Sequence, residues 1–94
     1  YGEGFGLFKE INNLLFYVLG IKQICGSAQS DNKDALYLDL FFGMKFVGKK
    51  IIPQDGVDVE YLECPHYTID DFAPHKDATL GDYVRFVKTM KKEK

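Results

Sequence analysis

The hydrophobic period of this chain changes twice, and that limits its fold more than any other feature. Over residues 7–25 apolar side chains recur at helical spacing; from Ala35 to about Glu63 they recur at every second residue; behind Leu80 the helical spacing returns. Helix, short sequential strands and helix in that order predict an α+β fold. It has a long N-terminal helix, a three- or four-stranded antiparallel sheet and a C-terminal helix packed on one face. The 94 residues suffice for one core, and the chain reads as a single interaction domain over 1–94.

Residues 1–6, Tyr-Gly-Glu-Gly-Phe-Gly, read as an irregular lead-in because glycine punctuates them. In the helix over 7–25, Leu7, Phe8, Ile11, Leu14, Leu15, Val18, Leu19 and Ile21 share an arc of about 160°, interrupted by Lys22. Gly26 is the predicted stop, and 26–34 a polar loop. From Ala35 a strand turns Leu36, Leu38, Leu40 and Phe42 one way and Tyr37, Asp39 and Phe41 the other. Two short strands around 44–47 and 49–52, a turn at 53–56 and a strand from Val57 ending near Pro65 complete the sheet. Thr68–Asp71 and Thr79–Asp82 have capping-box spacing, and Leu80, Tyr83, Val84, Phe86, Val87 and Met90 form the apolar face of the closing helix.

Charge and chemistry narrow the functions. The net charge is −2, and the basic cluster Lys88, Lys91, Lys92 and Lys94 suits a solvated helix end whose cations complement the dipole, so no nucleic-acid partner is expected. The longest apolar run, Leu14 to Leu19, falls far short of the ~20 residues that span a bilayer, so no membrane partner is expected either. The first residue is Tyr rather than Met, which reads as a piece of a longer chain. Cys25 and Cys64 read as reduced core thiols, with a single bridge between them as the alternative.

The residues of metal-ligand type are Cys64, His66, His75 and Cys25, but the paired short spacings of zinc sites are missing. Cys64 as a nucleophile assisted by His66 or His75 has Glu63 beside it, which opposes thiolate formation. Asp70 and Asp71 with His75 and Asp77 fit a helix start better than a carboxylate site. No phosphate loop, nucleophile elbow or HExxH pair occurs. The expectation is therefore a chain with no enzyme activity, no cofactor, no metal site and no small-molecule substrate. A metal- or thiol-dependent enzyme centred on Cys64, His66 and His75 is the alternative, as is a ubiquitin-like adaptor lobe.

What remains unexplained is apolar surplus. Phe16, Tyr17 and Ile24 leave the main stripe of the first helix, and Phe41 and Tyr37 leave the leucine face of the first strand. Apolar groups left on the surface of a small domain mark interfaces, so Phe16, Tyr17, Ile24 and Phe41 are the predicted partner-binding residues, for a protein partner or a homodimer.

Three strings carry a resemblance. They are Tyr17-Val18-Leu19-Gly20-Ile21 ending the first helix, Leu36-Tyr37-Leu38-Asp39-Leu40-Phe41-Phe42 as first strand, and Asp82 to Lys92 as closing helix. Their apolar spacing resembles the RWD-type globular heads of kinetochore proteins, the head subunits of the outer-kinetochore microtubule-binding complex and the monopolin-type subunit. That resemblance implies a non-enzymatic domain that follows a coiled coil, pairs with another such domain and binds a kinetochore partner in chromosome segregation. It also implies an intracellular location, nuclear or cytoplasmic.

Overall fold

The computed structural model describes residues 2–92. Its elements are α1 (Gly2–Asn13), a π-helical turn (Leu14–Val18), β1 (Gln23–Gln29), α2 (Lys33–Phe41), β2 (Gly48–Gln54), β3 (Val57–Thr68), α3 (Ile69–Phe72), a 3-10 turn (Ala73–His75) and α4 (Leu80–Lys92). The strands form one antiparallel sheet in the order β1-β3-β2. α2 packs against β1, α3 against β3, and α4 against α1 and α2. The fold is α+β, with the long N-terminal helix, antiparallel sheet and C-terminal helix that the changes of period predict.

The hairpin between β2 and β3 closes where the sequence places a turn. Asp55 and Gly56 both have positive φ, 53° and 80°, as a two-residue hairpin requires. β3 is the central strand and yet contains Pro65. Its pairing with β2 ends at Gly48–Glu63, and the pairing with β1 shifts register between Gly26–Cys64 and Ile24–Tyr67. Pro65 and His66 thus oppose the single residue Cys25, a bulge in which a missing N–H costs no ladder bond. The strand continues through it to Thr68, beyond the end expected near Pro65.

The core is largely aromatic. Phe42, Tyr67 and Phe72 have no exposed surface, and Phe5, Phe16, Phe41, Tyr83 and Val87 are buried around them. Phe8 stacks on Phe42 at 4.9 Å and Phe5 on Tyr83 at 5.6 Å, while Phe16 lies 5.8 Å from Tyr67. The Tyr67 hydroxyl donates to the Phe42 carbonyl at 2.5 Å, which satisfies the polar end of a fully buried ring.

Several local expectations are overturned. The lead-in over 1–6 is helical from Gly2, because Phe5 has a place in the core; Tyr1, like Lys94 of the basic cluster, lies outside the described residues. The first helix ends near Gly20, at φ +71°, rather than at Gly26, and the expected loop supplies β1. Gly26 serves close packing instead, since a Cβ there would meet the Met44 side chain at 3.0 Å. Residues 35–42 are not a strand but lie in and just beyond α2. Lys33 to Phe42 contain no β-branched residue, and the Asn32 side chain caps the helix by accepting from Ala35 N at 3.2 Å. The string that resembles the first strand of an RWD-type head is therefore helical.

Candidate functional site

α1 has two apolar sides. At ~100° per residue, Phe5, Phe8, Asn12 and Phe16 lie on one side, and Leu7, Ile11, Leu14 and Val18 lie on another, about 135° round the helix. The first side is in the core: Phe5, Asn12 and Phe16 are buried and Phe8 packs on Phe42. Lys9 fixes the orientation, its ammonium donating to the Ala78 carbonyl at 2.9 Å ahead of α4. The other side faces solvent, with Leu7 60%, Ile11 45%, Leu14 48% and Val18 72% exposed. Leu19 and Ile21 extend the exposed apolar run beyond the helix.

The end of this stripe is built on the π-helical turn. The Leu19 N–H reaches back to the Leu14 carbonyl, a five-residue step at 2.9 Å. The wider turn keeps Phe16 inside while Leu14 and Val18 stay outside. Single π-helical turns are frequent at functional sites.

Another set of exposed apolar side chains lies on the β2–β3 hairpin and differs in kind. Ile51 and Val57 point to opposite faces, as their pairing with Glu60 and Gln54 requires. Lys49–Glu60 and Lys50–Glu63 ion pairs surround them. β2 is an edge strand carrying two lysines and Pro53, features that discourage edge-to-edge pairing. The helical stripe is continuous; the hairpin residues are isolated.

The structure divides the four predicted partner-binding residues. Phe16 and Phe41 are core residues, 4% and 9% exposed, which corrects their assignment to a partner surface. The Phe16 ring was surplus only while the first-helix leucines were counted as core, and the Phe41 ring only while 35–42 was read as a strand. Ile24 is half-buried against the same core. Tyr17 alone is exposed, at 42%, with the Lys76 ammonium over its ring at 4.3 Å. The residues missed are Leu7, Ile11, Leu14 and Val18, read in sequence as the core stripe. The available signal was the competing aromatic side, Phe5, Phe8 and Phe16, at helical spacing once Phe5 is admitted to the helix.

The thiol and imidazole residues do not converge. Cys64 faces the core at 2% exposure, whereas Cys25 is exposed, its Sγ 3.3 Å from the Pro65 carbonyl. Both are free, and they border a shallow hollow of about 220 Å³ with Lys50 and Glu63. His66 is exposed at the bulge, while the His75 ring packs at 5.6 Å from Phe41. Among the described residues no three His, Cys, Asp or Glu side chains are placed to hold a metal ion. Asp71 accepts from Thr68 N at 2.9 Å, a helix-start role.

The electrostatics also point inward. Burial raises the Asp39 carboxyl to about 6, and burial, with Asp71, Cys64 and Asp39 nearby, pushes the Tyr67 phenol well above its ordinary value. Hydrogen bonds from Thr79 hold Asp82 below the usual carboxylate range, aided by Arg85. A larger depression of about 460 Å³ opens between Phe5, Asn32, Asp34, Leu38 and Tyr83, with Asp34 and Asn32 committed to the start of α2. Among the described residues no helix is long and apolar enough to cross a membrane. No family model matches the chain, and no curated protein matches it.

Proposed function

We propose that this chain is a non-enzymatic protein–protein interaction module that docks a partner chain through the aliphatic side of α1. The observation that supports it is the exposure of Leu7, Ile11, Leu14 and Val18 in one unbroken stripe, on a helix whose other side is fully used by the core. A contiguous apolar patch left in water costs solubility and contributes nothing to folding, so its use lies outside the folded chain. The kinetochore-head resemblance points to a pairing domain too, but the proposal does not rest on it, since α2 occupies the place of that family's first strand.

A membrane surface is a poorer fit. Interfacial helices carry lysine and arginine on the polar side, whereas the side positions of α1 hold Glu3 and Glu10 and its single lysine, Lys9, is engaged with Ala78.

The test is the double variant Leu14→Lys/Val18→Lys. Its far-UV spectrum and unfolding midpoint are expected to match the parent's, while every association the parent makes, with itself or with a protein retained from extract, is lost. A double variant that unfolds, or one that keeps the parent's mass and retained proteins, overturns the proposal.

A further inference from the structure

We infer that the occupant of the α1 stripe is the same stripe of another copy of this chain, laid antiparallel across it. The inference rests on the interaction reading above and specifies its partner. Leu7, Ile11, Leu14 and Val18 are spaced four, three and four residues apart, the alternation that forms a coiled-coil seam. Leu7 and Val18 are symmetric about a point midway between Asn12 and Asn13, and so are Ile11 and Leu14. A two-fold axis through that point brings Leu7 of one copy onto Val18 of the other and Ile11 onto Leu14, four apolar layers from one self-complementary surface.

Charge favours the same direction. Glu3 is exposed near the start of α1 and enters no ion pair among the described residues. Parallel pairing sets Glu3 beside Glu3, and antiparallel pairing places the two at opposite ends of the seam. The antiparallel arrangement also opposes the two helix dipoles.

The area suffices. At roughly 100 Å² for each half-exposed aliphatic side chain, Leu7, Ile11, Leu14, Val18 and Leu19 offer on the order of 500 Å² per copy. A standard interface buries ~800 Å² per partner including its polar rim. The apolar part of such an interface is present here before any polar contact is counted.

Light scattering from micromolar to millimolar concentration tests the partner. The mass is expected to rise from 10.8 kDa to twice that, and Leu14→Lys to hold it at 10.8 kDa with an unchanged far-UV spectrum. Direction is read on a Cys25→Ser background in a glutathione redox buffer. Leu7→Cys and Val18→Cys chains mixed together cross-link to each other, and neither cross-links alone.

A parent chain that stays at 10.8 kDa throughout overturns the self-pairing inference. If such a monomer still retains proteins in a stripe-dependent way, the interaction reading stands without it. Cross-linking by the Leu7→Cys chain alone, or flotation of the monomer with phosphatidylcholine/phosphatidylserine vesicles, also overturns the inference.

Discussion

On one side of α1, Phe5, Phe8 and Phe16 lie against Phe42, Tyr83, Tyr67 and Phe72; on the other, Leu7, Ile11, Leu14 and Val18 stand 45–72% exposed to water. Both sides are apolar, and by aliphatic content the outward side would make the better core. The difference is what each finds opposite itself. Flat rings stack and tilt against rings, with centroids 4.9–5.9 Å apart here, and each carries a large area out of water. Among the described residues the branched aliphatic side is left half or more uncovered at Leu7 and Val18 and nearly half at Ile11 and Leu14. The occupant proposed for it is a copy of itself.

The contrast breaks if the inward side proves dispensable. Phe42→Ala is expected to lose about 3–5 kcal/mol of folding stability, since it removes a ring with no exposed surface that touches Phe5, Phe8, Phe41 and Phe72. Urea unfolding measures this. A loss below about 1 kcal/mol would mean that the aromatic layer is loosely packed.

Gly43→Ala examines the same layer through the backbone. Gly43 sits at φ +92°, and a Cβ there would lie 2.6 Å from the Asp71 carbonyl oxygen. The expected cost is about 2 kcal/mol or more, from strain plus the displacement of α3. A stable Gly43→Ala chain would place α3 further from Phe42 than described.

Asp39 reports how dry the inward side is. Its carboxyl is raised to about 6 by burial, above the 3.8 of an ordinary aspartate. The folded chain therefore holds a proton between pH 4 and 6 that the unfolded chain has released. The stabilising contribution is complete below the unfolded value and is lost as pH rises through about 6. Asp39→Asn is expected to gain about 1 kcal/mol at pH 7, discounted for the solvent that still reaches the group. It should also flatten the decline across that window, as unfolding midpoints collected over pH would record. An unchanged pH profile would show the carboxyl to be fully hydrated.

The smallest effect belongs to the outward side. Leu14→Ala, unfolded at a concentration too low for self-association, is expected to change stability by less than about 0.5 kcal/mol. A loss of several kcal/mol would make Leu14 a core residue and erase the contrast.

Where local chemistry admits one answer, residues and structure agree. Thr79 and Asp82 cap α4 in both directions, Asp82 accepting from Thr79 N at 3.0 Å and Thr79 from Asp82 N at 3.2 Å. Tyr83 and Val87 of its single apolar face are buried. The hairpin turn at Asp55-Gly56 follows from the two residues that tolerate positive φ. Where two answers are open, the outcome is not local. In 35–42 leucines alternate, but Tyr37 and Phe41 fill the gaps between them, so periods of two and 3.6 both fit. In the first helix both sides satisfy the helical spacing. Sequence spacing thus assigned Phe16 and Phe41 outward and Leu7, Ile11, Leu14 and Val18 inward.

The residues by themselves determined the fold class, the capped closing helix, the hairpin turn and a greater supply of apolar side chain than one face of α1 can bury. Only the tertiary structure decided which side of α1 goes in and that 35–42 coils rather than extends. The reason is distance along the chain. Phe42, Phe72 and Tyr83 lie between 26 and 78 residues from Phe5 and Phe16, and the surface they present together exists only once the chain has closed.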